Sequence, residues 1–225
     1  HFVFPDYMAD LDALLRHYQP EGQIDLLGHS MGGNVVMMFA GARPERVHRL
    51  INLEGFGMPR TTPSMAPGRY RQWLNELQAM DAGDMNFKTY PSLDAVAQRL
   101  QKTNPRLRLD HAQFLASHWA QPTAGGQWAL LGHPAHKVVN PSLYQVDEMI
   151  SLYKAITAPT LCVLAQDNEM ASWWKGRYDL AEFRERIGHV PQLQLMELPE
   201  CGHMMHHDQP QALAEAISHF LYAAS

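Results

Sequence analysis

The sequence predicts an α/β fold, a parallel sheet with helices on both faces, and three observations carry that reading. Short apolar runs that stop at turn residues (Ile24 to Leu27, Leu50 to Glu54, Pro159 to Ala165, Leu193 to Leu198) have the character of buried strands. Segments with apolar residues at helical spacing alternate with them, which is the pattern of βαβ units. That alternation is interrupted once, between Gly55 and about Thr157, by a stretch that reads as helices without intervening strands.

Each element has a local reason. Met8, Leu11, Leu14, Leu15 and Tyr18 share one helical face, and Asp6 stands where a cap belongs, giving a helix over about residues 7–18. Ile24 to Leu27 is a strand ending in glycine, Asn34 to Ala40 a tightly packed helix, and LINLE, Leu50 to Glu54, a second strand. In the insertion, SLDAVAQRL places Leu93, Val96, Ala97 and Leu100 on one face, HAQFLASHW makes a second helix, and a third is expected from Asn140-Pro141. The α/β rhythm resumes with the strand PTLCVLA, the helix RYDLAEFRERI and the strand LQLMEL. The last helix carries Leu213, Ile217, Phe220 and Leu221, with Asp208 as its cap. Residues 1–54 and 158–225 therefore read as an α/β core and residues 55–157 as a helical cap subdomain.

Composition narrows the function. A chain of 225 residues, 46% apolar and 18% charged, suits a globular protein with one sizeable core. A net charge of −5 without a polybasic patch argues against nucleic acid and membrane surfaces as partners. No apolar run approaches a membrane span. Cys162 and Cys201 fit no metal-ligand spacing and read as thiols in a reducing, cytoplasmic compartment. No cofactor-binding motif occurs. The first residue is His1, not methionine, so the chain reads as entered in mid-course.

The chemistry is announced by GHSMGG, residues 28–33, where a strand ends and a helix begins. A serine on so sharp a turn has strained backbone angles, and the pattern G-x-S-x-G places Gly28 and Gly32, with Gly33 following, where side chains are expected to collide. The N-terminus of the next helix aims its N–H groups and dipole at developing negative charge. His29, inside the turn, is expected to pack beside the strand end.

At this point the chain resembles the α/β-hydrolase superfamily over nearly its whole length. The elbow GHSMGG, the RPERV segment before a strand, the helical insertion, PTLCVLA and the terminal GHMMHHDQP follow the superfamily's order. The resemblance implies Ser30 as nucleophile, the backbone N–H of Met31 as one oxyanion donor, and His203 of the Gly202-His203 pair as base. His206, His207 and Asp208 lie nearby, but no third ligand at useful spacing joins them, so no metal is expected.

The acid departs from the common pattern. Laying PTLCVLAQDN on it puts Ala165 at the usual glycine and Asn168 at the acid position, and asparagine cannot stabilise an imidazolium as a carboxylate does. Some haloalkane dehalogenases instead carry a glutamate at the end of the strand after the nucleophile helix, which LINLEGFGMP resembles. Glu54 is therefore the expected acid, with Asp167 and Glu169 as alternatives. Dehalogenation itself is not expected, because that reaction uses an aspartate where this chain has Ser30. The resemblance also implies that the first strands of the fold, with the loop giving the second oxyanion donor, precede residue 1. Loss of one such donor costs roughly 3 kcal/mol of transition-state stabilisation.

The implied activity is hydrolysis of a carboxylic ester or related small-molecule acyl substrate through a serine ester. Met58, Trp73, Leu74, Met80, Phe87, Phe114 and Trp119 of the insertion, with Trp173-Trp174, suggest an apolar substrate. C–C bond hydrolysis and acyl transfer use the same triad in the superfamily and stay open. So does a non-catalytic ligand-binding protein on this scaffold. The sequence does not specify oligomeric state.

Overall fold

A computed structural model describes residues 2–222. In chain order the elements are α1 (Phe4–Tyr18), β1 (Ile24–His29), α2 (Met31–Ala42), β2 (Val47–Leu53), α3 (Ala66–Asp81), β3 (Thr89–Tyr90), α4 (Leu93–Thr103), α5 (Leu109–Trp119), β4 (Ala120–Pro122), β5 (Trp128–Leu130), α6 (Val146–Ala155), β6 (Thr160–Ala165), α7 (Met170–Trp173), α8 (Leu180–Ile187), β7 (Leu193–Leu198), α9 (Met205–Asp208) and α10 (Pro210–Tyr222). They form two compact units, one spanning Val3–Met65 and the chain from Ser142 onward, the other holding Phe2 and Ala66–Pro141. Residues 55–65 and 142–157, read from sequence as part of the insertion, thus cluster with the α/β unit. Among the described residues no helix is long and apolar enough to cross a membrane.

The α/β unit is built on a four-stranded sheet in the order β1-β2-β6-β7, with every neighbouring pair parallel. Its side chains alternate between two cores. Leu50, Cys162 and Leu164 join Leu15, Val36, Phe39, Phe183 and Ile187 on one face, whereas Ile51, Leu53, Leu161 and Val163 join Leu213 and Phe220 on the other. Because both faces are covered, all six residues of β6 are buried, and a strand buried twice loses polar alternation and reads as an unbroken apolar run. β1 lies at an edge of the sheet, where Leu27 is exposed.

Parallel strands bring all their C-terminal ends to one edge of the sheet, where ligands bind in such folds. Register carries this to the residues that matter. His29 pairs with Leu53 and Leu53 with Val163. Beyond the strand ends the ladder continues: Ser30 N donates to Leu53 O at 2.8 Å, and Glu54 N to Val163 O at 3.2 Å. The residues after β1 and β2 are therefore neighbours.

The smaller unit packs α4 against α5 through Val96, Ala97, Ala112 and Ala116, with Trp128 and Leu130 alongside. It contains the antiparallel sheet β3-β5-β4, which corrects the expectation of helices alone. Strands of two or three residues are too short to show a period of two. The helix α3 was also missed. Pro67 sits in its first turn, where a missing N–H costs nothing.

Three local expectations shift. The helix expected from Asn140-Pro141 begins only at Val146; the Tyr144 carbonyl before it accepts the Thr61 hydroxyl at 2.8 Å, which ties that stretch to a neighbour instead of a helical ladder. The first helix starts at Phe4, with Asp6 in its first turn accepting from Val3 N at 3.4 Å. Asp208 does not cap α10; it ends α9, and its Oδ2 accepts the Gly202 N–H at 2.9 Å.

The glycines of the elbow separate by role. A Cβ at Gly28 would collide with the carbonyl of Gly32, and one at Gly33 with the Asn52 side chain and the Gly55 backbone. A Cβ at Gly32 meets nothing within 4 Å, so the crowding expected at that position is absent and Gly33 carries it instead. Gly28→Ala and Gly33→Ala should each lose at least about 2 kcal/mol of stability from forced backbone displacement. Gly32→Ala should be neutral or gain up to about 1 kcal/mol from a stiffer unfolded chain. Thermal denaturation of the three variants decides it.

Candidate active site

The turn after β1 has the strained geometry a nucleophile elbow requires. Ser30 sits at φ 54° and ψ −116°, in the left-handed half of backbone space that ordinary residues avoid. It precedes α2 directly, so Met31 is the first residue of that helix and its N–H has no acceptor within the helix. The helix dipole adds partial positive charge at the same place.

The segment after β7 carries His203. Its main chain is held by Asp167 N, which donates to Cys201 O at 3.1 Å, and by Asp208, which receives Gly202 N. The His203 ring lies between two oxygens, with Nε2 2.8 Å from Ser30 Oγ and Nδ1 2.8 Å from Glu54 Oε2. A carboxylate only accepts, so Nδ1 bears the proton and Nε2 is left to accept the serine hydroxyl proton. That tautomer is the one in which an imidazole can act as a base toward Ser30.

Glu54 follows β2 and is 1% exposed. Its φ of 51° departs from the strand, and its Oε1 accepts the Ala165 N–H at 2.8 Å while Oε2 receives His203. Of the four described non-glycine residues with positive φ, two are Ser30 and Glu54; backbone strain of this kind gathers at functional sites because surrounding contacts must enforce it. The contacts after Glu54 are visible. Asn52 brackets Gly55 through its N–H at 2.7 Å and its carbonyl at 3.2 Å, and Asn34 Oδ1 accepts Gly57 N at 2.8 Å. Tyr178 donates to Phe56 O at 2.5 Å, and Arg186 to Met58 O at 2.7 Å.

The other carboxylates named from sequence lie elsewhere. Asp167 is exposed and contributes its backbone to the base loop, and Glu169 is exposed and receives the Trp173 indole N–H at 3.3 Å. Asn168 Nδ2 reaches Ala165 O at 3.5 Å.

Several contacts had no legible signal in the sequence. The Trp173 ring stands edge-on to His203 at 4.6 Å, and Phe56 lies 6.5 Å from it. His29, expected only to pack, reaches the His203 carbonyl. The ring of His206 packs against His29 and His207, at 4.6 and 4.1 Å. Among the described residues, no group of three or more His, Cys, Asp or Glu side chains is arranged to hold a metal ion.

The chain belongs to the alpha/beta hydrolase fold family, whose sequence profile matches residues 1–210. It is 24% identical over 229 residues to a serine hydrolase-like protein of Danio rerio, covering 100% of this chain and 68% of that protein. It is 25% identical over 199 residues to an sn-1-specific diacylglycerol lipase of Mus musculus, covering 87% of this chain and 58% of that one. The chain thus spans only about 60 to 70% of the length of these relatives. A hypothetical protein of Pseudomonas aeruginosa PAO1 shares the fold with a TM-score of 0.82 at 22% identity, covering 98% of this chain and 74% of its own.

Burial dominates the electrostatics around the base. It pushes His206 down to about 4 from 6.5, and the neighbouring His207, His29 and His203 push the same way. His29 is also lowered, by burial first, against the opposing effect of its bond to the His203 carbonyl. A histidine whose folded-state value is depressed takes up its proton more readily when unfolded. His206 therefore contributes stability that is full above pH 6.5 and is lost as pH falls toward 4. The melting temperature should drop across that window, and His206→Gln should flatten the slope; equal slopes for the two proteins would remove the assignment.

Proposed function

We propose that this chain carries the catalytic centre of a serine hydrolase that cleaves a carboxylic ester, or a related acyl bond, through a covalent acyl-enzyme. The observation that carries the reading is the unbroken relay from Ser30 Oγ through both nitrogens of His203 to Glu54, each link 2.8 Å. The match to a family of hydrolases and the similarity to a diacylglycerol lipase favour an ester substrate.

In the first half-reaction Ser30 Oγ bonds to the acyl carbon as its proton passes to His203 Nε2. Glu54 steadies the imidazolium through Nδ1, and the carbonyl oxygen becomes an oxyanion. Met31 N–H, at the head of α2, is the donor assigned to that oxyanion. Collapse breaks the bond to the alkoxide, which leaves with the proton from Nε2. Water then gives its proton to His203, attacks the acyl carbon and releases the acid, and Ser30 recovers its hydrogen. The mechanism requires no cofactor.

Trp173 beside His203, Phe56 behind it and the exposed side chain of Met31 support an apolar acyl or alcohol group. Cys162 and Cys201 are buried and form no disulfide, which supports the cytoplasm as the working compartment.

A fluorophosphonate probe should label the wild-type chain and fail to label Ser30→Ala. Equal labelling of both would end the proposal. With p-nitrophenyl esters as substrates, Glu54→Gln should lower kcat by roughly 10²- to 10⁴-fold, because the imidazole loses the carboxylate that sets its tautomer. Asp167→Asn should stay near the wild-type rate. The reverse result would move the acid to Asp167. Binding of esters without turnover would favour a ligand-binding protein.

A further inference from the structure

Residues 199–204, which present His203, form no helix or strand between β7 and α9, so each main-chain tether matters. The carbonyl of Cys201 is held from the β6 loop by Asp167 N, and the N–H of Gly202 is held by Asp208. Glu200 N is held by Gln166 Oε1 at 3.1 Å, and Met204 O by the first turn of α9. A further tether falls on His203 itself. His203 O accepts from the ring Nε2 of His29 at 2.7 Å, across 174 residues of sequence. A carbonyl only accepts, so His29 carries its proton on Nε2. His29 is the last residue of β1 and the neighbour of Ser30. Its ring is walled in by His203 at 4.7 Å and by His206 at 4.6 Å.

We propose that His29 is a positioning residue, a latch that fixes the main chain of His203 to the nucleophile turn and so holds the imidazole between Ser30 and Glu54. The proposal rests on the hydrolase reading above, but it concerns a residue which that mechanism does not use. Two hydrogen bonds through the ring nitrogens orient the imidazole, yet both run through side-chain torsions that can rotate. A third bond, to the backbone of the same residue, comes from the strand end that carries the serine. It resists the one displacement that would separate base from nucleophile. Burial depresses the basicity of His29, so the latch donates its hydrogen bond as a neutral ring. It sets no positive charge beside the imidazolium that forms on His203. The other charged and titratable groups at this cluster are Glu54 across the His203 ring, and His206, His207 and Asp208 on α9.

The test compares His29→Leu, which keeps bulk and loses the donor, with His29→Gln, whose amide nitrogen falls where Nε2 does. The first readout is the far-downfield proton resonance of His203 Nδ1–H bound to Glu54, assigned by its loss in Glu54→Gln. The second is steady-state kinetics with p-nitrophenyl butyrate. His29→Leu should broaden or erase the resonance and lower kcat on the order of 100-fold, as displacement of a catalytic group by about 1 Å does. KM should change little, and His29→Gln should restore both readouts. Should the leucine variant fail to fold, His29→Asn replaces it, since its amide sits at the Nδ1 position and cannot reach the carbonyl.

A wild-type resonance and kcat in His29→Leu, or equal impairment in the Gln variant and its non-donating counterpart, would overturn the latch. A wild-type chain that fluorophosphonate does not label would overturn the hydrolase reading instead, while the resonance would still decide whether His29 holds the pair.

Discussion

The buried carboxylate of Glu54 is the interaction on which the site depends. An ionised group removed from water is costly unless each oxygen finds a donor. Here one oxygen takes a backbone N–H from the end of β6 and the other takes the ring of His203. Three segments distant in sequence are thereby tied at one point. The same residue carries a strained backbone, and the side chains of Asn34, Asn52, Tyr178 and Arg186 all bond the four residues that follow it. The strain is local, while its support is spread through the unit.

The parallel sheet makes such convergence possible. Four strands running one way deliver Ser30, Glu54, Ala165 and the loop after Leu198 to one edge, in the spatial order of the strands themselves. Register then decides which side chains meet, because the ladder continues one residue beyond β1 and β2. Ser30 and Glu54 are thus positioned by main-chain bonds. His203 sits on irregular backbone and is held by tethers from elsewhere. That asymmetry explains why the contacts of Asp208, Asp167 and His29 gather on three consecutive residues, Cys201 to His203.

Histidines crowd this edge, but they do not behave alike. His203 faces the carboxylate of Glu54, its Nδ1 2.8 Å from Oε2. His206 lies among other imidazoles in a partly dry setting that holds it neutral. One ring of the cluster meets the Glu54 carboxylate, while the neighbouring rings pack against one another and His29 donates a hydrogen bond to the His203 carbonyl.

How much of this was legible depends on the range of the physics involved. The strands of the α/β unit and the elbow could be read from apolar runs and glycine spacing, because burial on two faces and a sharp turn leave marks on adjacent residues, whereas His203 was implied only by the resemblance to the superfamily. The short strands β3 to β5 and the late start of α6 left none, since two or three residues carry no period and the Tyr144 carbonyl ahead of α6 bonds the distant Thr61 hydroxyl. Three carboxylates satisfied the sequence as candidates for the acid. The contact of Glu54 with His203 could be seen only in the tertiary structure, because it depends on one left-handed residue and spans 149 positions. The sequence by itself determined which chemical groups the edge of the sheet would hold. Which of them touch was decided by side-chain direction, set by backbone twist and by partners far along the chain that no local pattern encodes.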